Sequence, residues 1–331
     1  MQYMPSPATA PLAGIKAKRL GRELTAAIGL TLLAASSLAG SQAWPTQMAQ
    51  TGFGFVASAQ AQSAQRIVAV GGVVTEVLYA LGLQDSVVGV DTTSLWPPEA
   101  LKEKKNVGYV RALSAEGVLS LKPSLVIAVE GAGPPDALAL VREAGLPMAP
   151  VPEALTPEAV VSKIEIIGKA AGAAEPARQL AAGVKARFTE LDKLRAGLPK
   201  QKRVLFVLSL QNGRTMVGGR NSSADAIIAL AGGVNAAEAV EGFKPMTDEA
   251  IITAAPDHVL MMRHSAAPSQ TPEELFAMPA FSQTPAAKAK SLIRMDGLYL
   301  LGFGPRTPDA ARDLMAALYP EAKIAQLPAT K

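Results

Sequence analysis

The chain has 331 residues, about half of them apolar and 18% charged, enough for one large or two ordinary globular domains. Its net charge of +4 is lopsided. Residues 1–61 hold Lys16, Lys18, Arg19 and Arg22 against Glu23, so the rest stands near neutrality, with neither a nucleic-acid footprint nor a polybasic membrane patch. With no cysteine, the sequence excludes disulfides, thiolate metal sites, cysteine nucleophiles and a lipid-bearing N-terminal cysteine.

The chain opens on a targeting pattern. A basic stretch, Lys16 to Arg22, precedes the uncharged run Thr25–Gly40, which is too short and too rich in small residues for a membrane span. Small-x-small cleavage sites follow at Ser41-Gln42-Ala43, Ala57-Ser58-Ala59 and Ala59-Gln60-Ala61. Removal of this leader, with no anchor after it, predicts a soluble periplasmic protein.

Arg66–Val70 reads as a buried strand running into Gly71-Gly72. A helix is expected over Val74–Leu81, stopped by Gly82, and then a second strand over Ser86–Val90. This is the β–loop–α–β grammar of a parallel sheet. Thr156-Pro157-Glu158 carries an N-cap and an N1 proline, so a helix starts there. Another starts at Glu175-Pro176 and runs to about Leu194. The opening grammar then returns: a strand over Arg203–Ser209, Thr215–Val217 leading into Gly218-Gly219, and a helix over Ser223–Leu230.

A second pair of segments repeats more closely. SAEGVLSLKPSLVIAV (114–129) and TDEAIITAAPDHVLMM (247–262) each place a glutamate two residues after a hydroxyl residue and a proline seven residues after the glutamate. The hydroxyl caps a short helix with acid in its first turn, and the proline ends that helix before a buried strand. The preceding Gly108-Tyr109 and Gly242-Phe243 also align. Such repeats mean two related lobes. The expected fold is therefore α/β, two Rossmann-like lobes joined by a long helix: leader 1–61, N-terminal lobe 62–155, helical bridge 156–200, C-terminal lobe 201–331.

Ligands of open parallel sheets bind beyond the carboxyl ends of the strands. The loops expected there carry Val73, Leu95, Trp96, Phe243 and Met246 with Arg111, Arg220 and Arg263. An apolar slot rimmed by arginine suits a flat, apolar dianion better than a sugar. Catalysis has little support. The two histidines, His258 and His264, belong to no HExxH motif; there is no GxSxG; and Gly302-Phe303-Gly304-Pro305 lacks dinucleotide-loop spacing. A free-metal site would need a His/Asp/Glu cluster that the sequence does not offer.

The stretch Val107-Gly108-Tyr109-Val110-Arg111-Ala112-Leu113-Ser114-Ala115-Glu116 resembles the periplasmic haem-binding proteins that feed ABC importers in Gram-negative bacteria. So do RIVAVGGVVTEVLYALG, EGFKPMTDEAIITAAPD and LLGFGPRTPDA. The resemblance implies two lobes bridged by one long helix, haem as transported ligand, and Tyr109 as the axial ligand of ferric iron, a hard ion suited to phenolate oxygen. Arg111 and Arg263 are candidates to favour the phenolate, and Arg220 and Arg263 to pair haem propionates. Phe243 is expected as a slot wall, and Met246 as core or slot wall. His264 is a candidate second ligand, with a surface histidine as the other reading. Glu116 and Glu249, one per lobe, are expected to dock on the membrane permease. The remaining implied partnerships are an indirect link to an outer-membrane haem receptor system and a monomeric state. The alternatives are a cobalamin or ferric-siderophore binding protein, or an exported α/β enzyme.

Overall fold

The computed structural model describes residues 65–211, 214–263 and 270–329. The expected leader and His264 lie outside the described residues.

The first lobe contains β1 (Ile67–Val70), α1 (Gly72–Ala80), β2 (Val87–Val90), α2 (Glu99–Glu103), β3 (Lys105–Asn106), a small hairpin of β4 (Gly108–Tyr109) and β5 (Ala112–Leu113), α3 (Ala115–Ser120), β6 (Leu125–Val129), α4 (Pro135–Glu143) and β7 (Met148–Val151). Its main sheet is parallel, in the order β3-β2-β1-β6-β7. Both faces are covered, so its central strands are apolar without alternation. Ile67, Ala69 and Ile127 turn to a core shared with α1. Val68, Val70, Val126 and Ala128 turn to a second core with Val107, Val118 and Val141. The helix expected from Val74 begins two residues earlier, because Gly71 (φ 107°) takes the left-handed turn out of β1.

A helical hairpin follows: α5 (Pro157–Ala170) and α6 (Ala174–Ala196), the long helix of the bridge. Thr156 caps α5 by accepting from Ala159 N at 3.2 Å, and Pro157 opens its first turn. The helices approach so closely at Gly168 that a Cβ there would sit 2.1 Å from that of Ala177.

The second lobe runs β8 (Arg203–Gln211), β9 (Arg214–Gly218), α7 (Ser223–Leu230), β10 (Val234–Asn235), β11 (Phe243–Met246), α8 (Asp248–Ala254), β12 (His258–Arg263), α9 (Pro272–Ala277), α10 (Pro279–Ser282), α11 (Pro285–Ala289), β13 (Leu292–Asp296), α12 (Gly297–Leu301) and α13 (Thr307–Leu318). Its sheet order is β11-β9-β8-β12-β13, with β10 also on β8. Strands β8, β10, β12 and β13 are parallel, and β9 is antiparallel to both its neighbours. The alternation seen in β1 recurs in β8: Val204 and Phe206 face one core, Leu205 and Val207 another.

Both copies of the 16-residue repeat fold alike. Ser114 accepts from Gly117 N and Thr247 from Ala250 N, and each short helix leads into a central strand. Tyr299 lies in α12, where Asp296 caps the helix by accepting from Tyr299 N at 2.9 Å. One expectation changes. Residues 243–246, expected as a loop, form edge strand β11. Alternation along that strand turns Met246 into the core with Leu205 and Val217, so of its two expected places it takes the core and not the slot wall.

One core cluster is continuous through the molecule. It takes Val77 and Ile127 from the first lobe, Ile164, Phe188 and Leu191 from the bridge, and Phe206, Ile227 and Leu314 from the second lobe. No helix among the described residues is long and apolar enough to cross a membrane.

Candidate functional site

The carboxyl edges of the two parallel sheets face each other. Gly72, just past β1, lies so near Leu298, just past β13, that a Cβ on Gly72 would stand 2.7 Å from Leu298 Cδ1. Around that contact, loops from both lobes border a cleft.

In the first lobe, Asp91 organises the loop after β2. It is fully buried and accepts from Gly71 N (2.8 Å), Thr93 N (2.9 Å), Thr93 Oγ1 (2.7 Å) and Ser94 Oγ (3.2 Å). Thr93 Oγ1 in turn accepts from Gly72 N at 2.9 Å. With its polar groups turned inward, this loop presents Leu95 and Trp96 outward. The sequence reading did not single out Asp91. Its signal was an acid followed by Thr-Thr-Ser straight after an apolar strand, the pattern of a side chain bonding its own turn.

The β4–β5 hairpin carries Tyr109 and is held by three backbone hydrogen bonds to two neighbouring segments. Thr92 N donates to Gly108 O (2.9 Å), Leu113 N to Gly133 O (2.8 Å), and Gly133 N to Val110 O (2.9 Å). Gly108 also donates to Asn106 Oδ1 at 2.8 Å. Gly108 has φ 106°, and a Cβ there would meet Ala112 O at 2.7 Å, so the hairpin requires glycine at this point. Tyr109 is thus a projecting phenol on a fixed backbone, with Arg111 at the hairpin's turn.

In the second lobe, Phe243 pairs with Gly218 across β11 and β9, beside the end of the parallel part of β8. Its ring meets Phe206 edge-on at 6.2 Å. Arg220 follows Gly218-Gly219 and bridges through its backbone to Glu241, and Arg263 ends β12. Arg111, Arg220 and Arg263 are all exposed, and none pairs with an acid among the described residues. Arg263 Nη2 donates to Arg294 O at 3.4 Å.

Leu95, Trp96, Tyr109 and Phe243 are large apolar side chains that are each between 39% and 49% exposed. Glu116 and Glu249 are exposed in the first turns of α3 and α8.

Other chemistry is poorly served. No group of three histidines or acids that could hold a metal ion occurs among the described residues. His258 Nδ1 lies 2.5 Å from Ser291 Oγ, but at the start of β12, the opposite end of the sheet from the cleft. Burial, and then Lys202, hold the imidazole below its ordinary pKa.

The sequence reading also missed a contact between the lobes. Glu76 of α1 accepts from Arg306 N (3.2 Å) and Arg306 Nη2 (2.8 Å), and the Arg306 guanidinium lies over the rings of Trp96 (4.4 Å) and Tyr299 (5.3 Å). The available signal was an acid within the apolar helix GVVTEVLYA, which cannot be buried without a partner.

This fold and cleft define a two-lobed binding protein of the helix-bridged kind. A family model for periplasmic binding proteins matches residues 67–298, and the chain belongs to that family. Among solved structures it is similar to the apo periplasmic heme-binding protein RhuT from Roseiflexus sp. RS-1: 40% identical, covering 78% of this chain and 100% of that one, with a TM-score of 0.74. Among curated proteins it is 29% identical to an uncharacterized ABC transporter substrate-binding lipoprotein, YvrC, of Bacillus subtilis, over 75% of this chain and 77% of that protein. It is 27% identical to the vitamin B12-binding protein of Vibrio cholerae, over 62% of this chain and 72% of that protein.

Proposed function

We propose that this protein captures haem between its lobes, with Tyr109 as the iron ligand, and delivers it to the permease of an ABC importer. The observation that carries the proposal is the exposed phenol of Tyr109 on a hairpin fixed by backbone hydrogen bonds, next to Arg111. A preset donor needs no rearrangement to meet ferric iron, and a neighbouring cation favours phenolate. Leu95, Trp96 and Phe243 would flank the porphyrin. Arg220 and Arg263 would meet its propionates, which are acceptors of the kind guanidinium groups bind. The 40% identity to a heme-binding protein supports the same reading.

Transport rather than catalysis is the reading supported by membership of a periplasmic binding protein family and by the similarity to a heme-binding protein. Glu116 and Glu249, one exposed acid per lobe at corresponding positions of the repeat, would dock on basic residues of a permease with matching symmetry. The location would be the periplasm, reached through the basic and apolar leader of residues 1–61. The sequence has no cysteine to carry a lipid.

Titration of the purified protein with ferric haem tests the assignment. Wild type should give a Soret band of bound haem, and Tyr109→Phe should lose the phenolate–iron signature and most of the affinity. A wild type that leaves haem unbound sinks the reading, and an unchanged Tyr109→Phe spectrum sinks the ligand. Similarity to a vitamin B12-binding protein favours a second reading, cobalamin. A parallel titration with cobalamin separates the two, because that ligand gives Tyr109→Phe no metal bond to lose.

A further inference from the structure

The lobes share a bridge and a core, yet polar contact between them is concentrated at one point. Among the described residues, the hydrogen bonds and ion pair that run directly from the first lobe to the second all join Glu76 to Arg306. Glu76 is only 6% exposed. A carboxylate so placed requires its partner, and that partner belongs to the other lobe. Arg306 is held again by cation–π contact with the rings of Trp96 and Tyr299. Trp96 belongs to the loop that Asp91 organises on the first lobe, and Tyr299 to α12 of the second. One guanidinium therefore ties α1, a cleft loop of the first lobe and the second lobe together.

The backbone that presents Arg306 is itself constrained. Phe303 is buried and left-handed (φ 49°), a conformation a phenylalanine adopts only where its surroundings impose it. Gly304 packs against Val73 and Glu76, with 3.1 Å from a Cβ there to Val73 Cγ2. Beside the pair lies a groove of about 450 Å³ lined by Tyr79, Pro97, Leu180 and Val184. Arg306 is thus fixed by pairing and stacking while open space adjoins it, which is the arrangement of a contact that can open.

We propose that Arg306 is a positioning residue: through Glu76, Trp96 and Tyr299 it sets the angle between the lobes, and so the gap that receives the ligand. The effect on ligand release rests on the haem reading above; the effect on the lobes does not.

The lack of cysteine makes the test direct, because spin labels can be attached without background. Leu140→Cys and Lys288→Cys put one label on an exposed helix of each lobe, and pulsed dipolar spectroscopy reads the distance between them. The parent should give one narrow distance distribution, broadened in Arg306→Ala and Trp96→Leu. Arg306→Lys keeps the charge for Glu76 but loses planar stacking, and should fall between. Haem release should be about tenfold faster in Arg306→Ala, with the bound spectrum unchanged, because altered contacts act mainly on dissociation. A residue of purely structural value would lower the melting temperature and leave distances and release as in the parent, and that result overturns the proposal. If Arg306→Ala does not fold, Arg306→Lys and Trp96→Leu, the latter at an exposed ring, decide the question by the same distances. If wild type binds no haem while the distances broaden as stated, the haem reading falls and the positioning role stands.

Discussion

At the scale of single residues, the site depends on backbone geometry more than on the reactivity of any group. Tyr109 is one of several tyrosines. What distinguishes it is a hairpin whose entry, Gly108, occupies a conformation closed to other residues, with a backbone carbonyl where a Cβ would go. Gly108→Ala should destabilise the protein by about 1–3 kcal/mol. It should also weaken haem binding while leaving the far lobe's helices intact. Thermal melts paired with haem titrations check this; an alanine variant that melts and binds like the parent would show the hairpin to be more pliant than its hydrogen bonds imply. The counterpart of Tyr109 in the repeat, Phe243, has no hydroxyl. The two sides of the cleft are chemically unequal although the lobes share a fold.

At the scale of elements, caps and edges place these residues. Ser114 and Thr247 start equivalent helices in the same way, and each helix presents one exposed glutamate. The strands that follow differ at their starts. β12 begins with His258, half-buried against Ser291, its pKa lowered by burial and then by Lys202. Because the folded state holds this proton less tightly than the unfolded chain does, stability is full above the unfolded pKa and declines as pH falls through it. The melting temperature should therefore drop as the pH is taken below about 6.5. His258→Gln should flatten that part of the profile, while an identical pH profile in the variant would assign the slope to other groups.

At the scale of the whole molecule, the continuous core argues against two independently folding lobes. Phe188 and Leu191 of α6 lie in the same cluster as Ile127 of the first sheet and Phe206 of the second. Unfolding should be a single calorimetric transition. Phe188→Ala should lower stability by about 3–5 kcal/mol while keeping the transition single. Two resolved transitions, in parent or variant, would mean that the bridge does not couple the lobes. Coupling of this kind also limits lobe motion to small changes of angle, the range over which a contact such as Glu76–Arg306 can act.

The sequence by itself determined the two-lobed α/β plan. Apolar runs of strand length, hydroxyl caps and the 16-residue repeat are local signals, each read from a few neighbouring residues, and their elements appeared within a residue or two of expectation. Of the proposed site residues, Arg111 and Phe243 were expected from strand ends and the repeat, whereas the role of Tyr109 came from the resemblance of residues 107–116. Tertiary structure decided the rest. Tyr299 went to a helix because Asp296 caps it, and Met246 went inward because β9 offered an edge to pair with. Glu76 met Arg306 across 230 positions of sequence. A burial partner or a sheet neighbour that far along the chain leaves no local pattern, because the energy that fixes it exists only once the two segments are brought together.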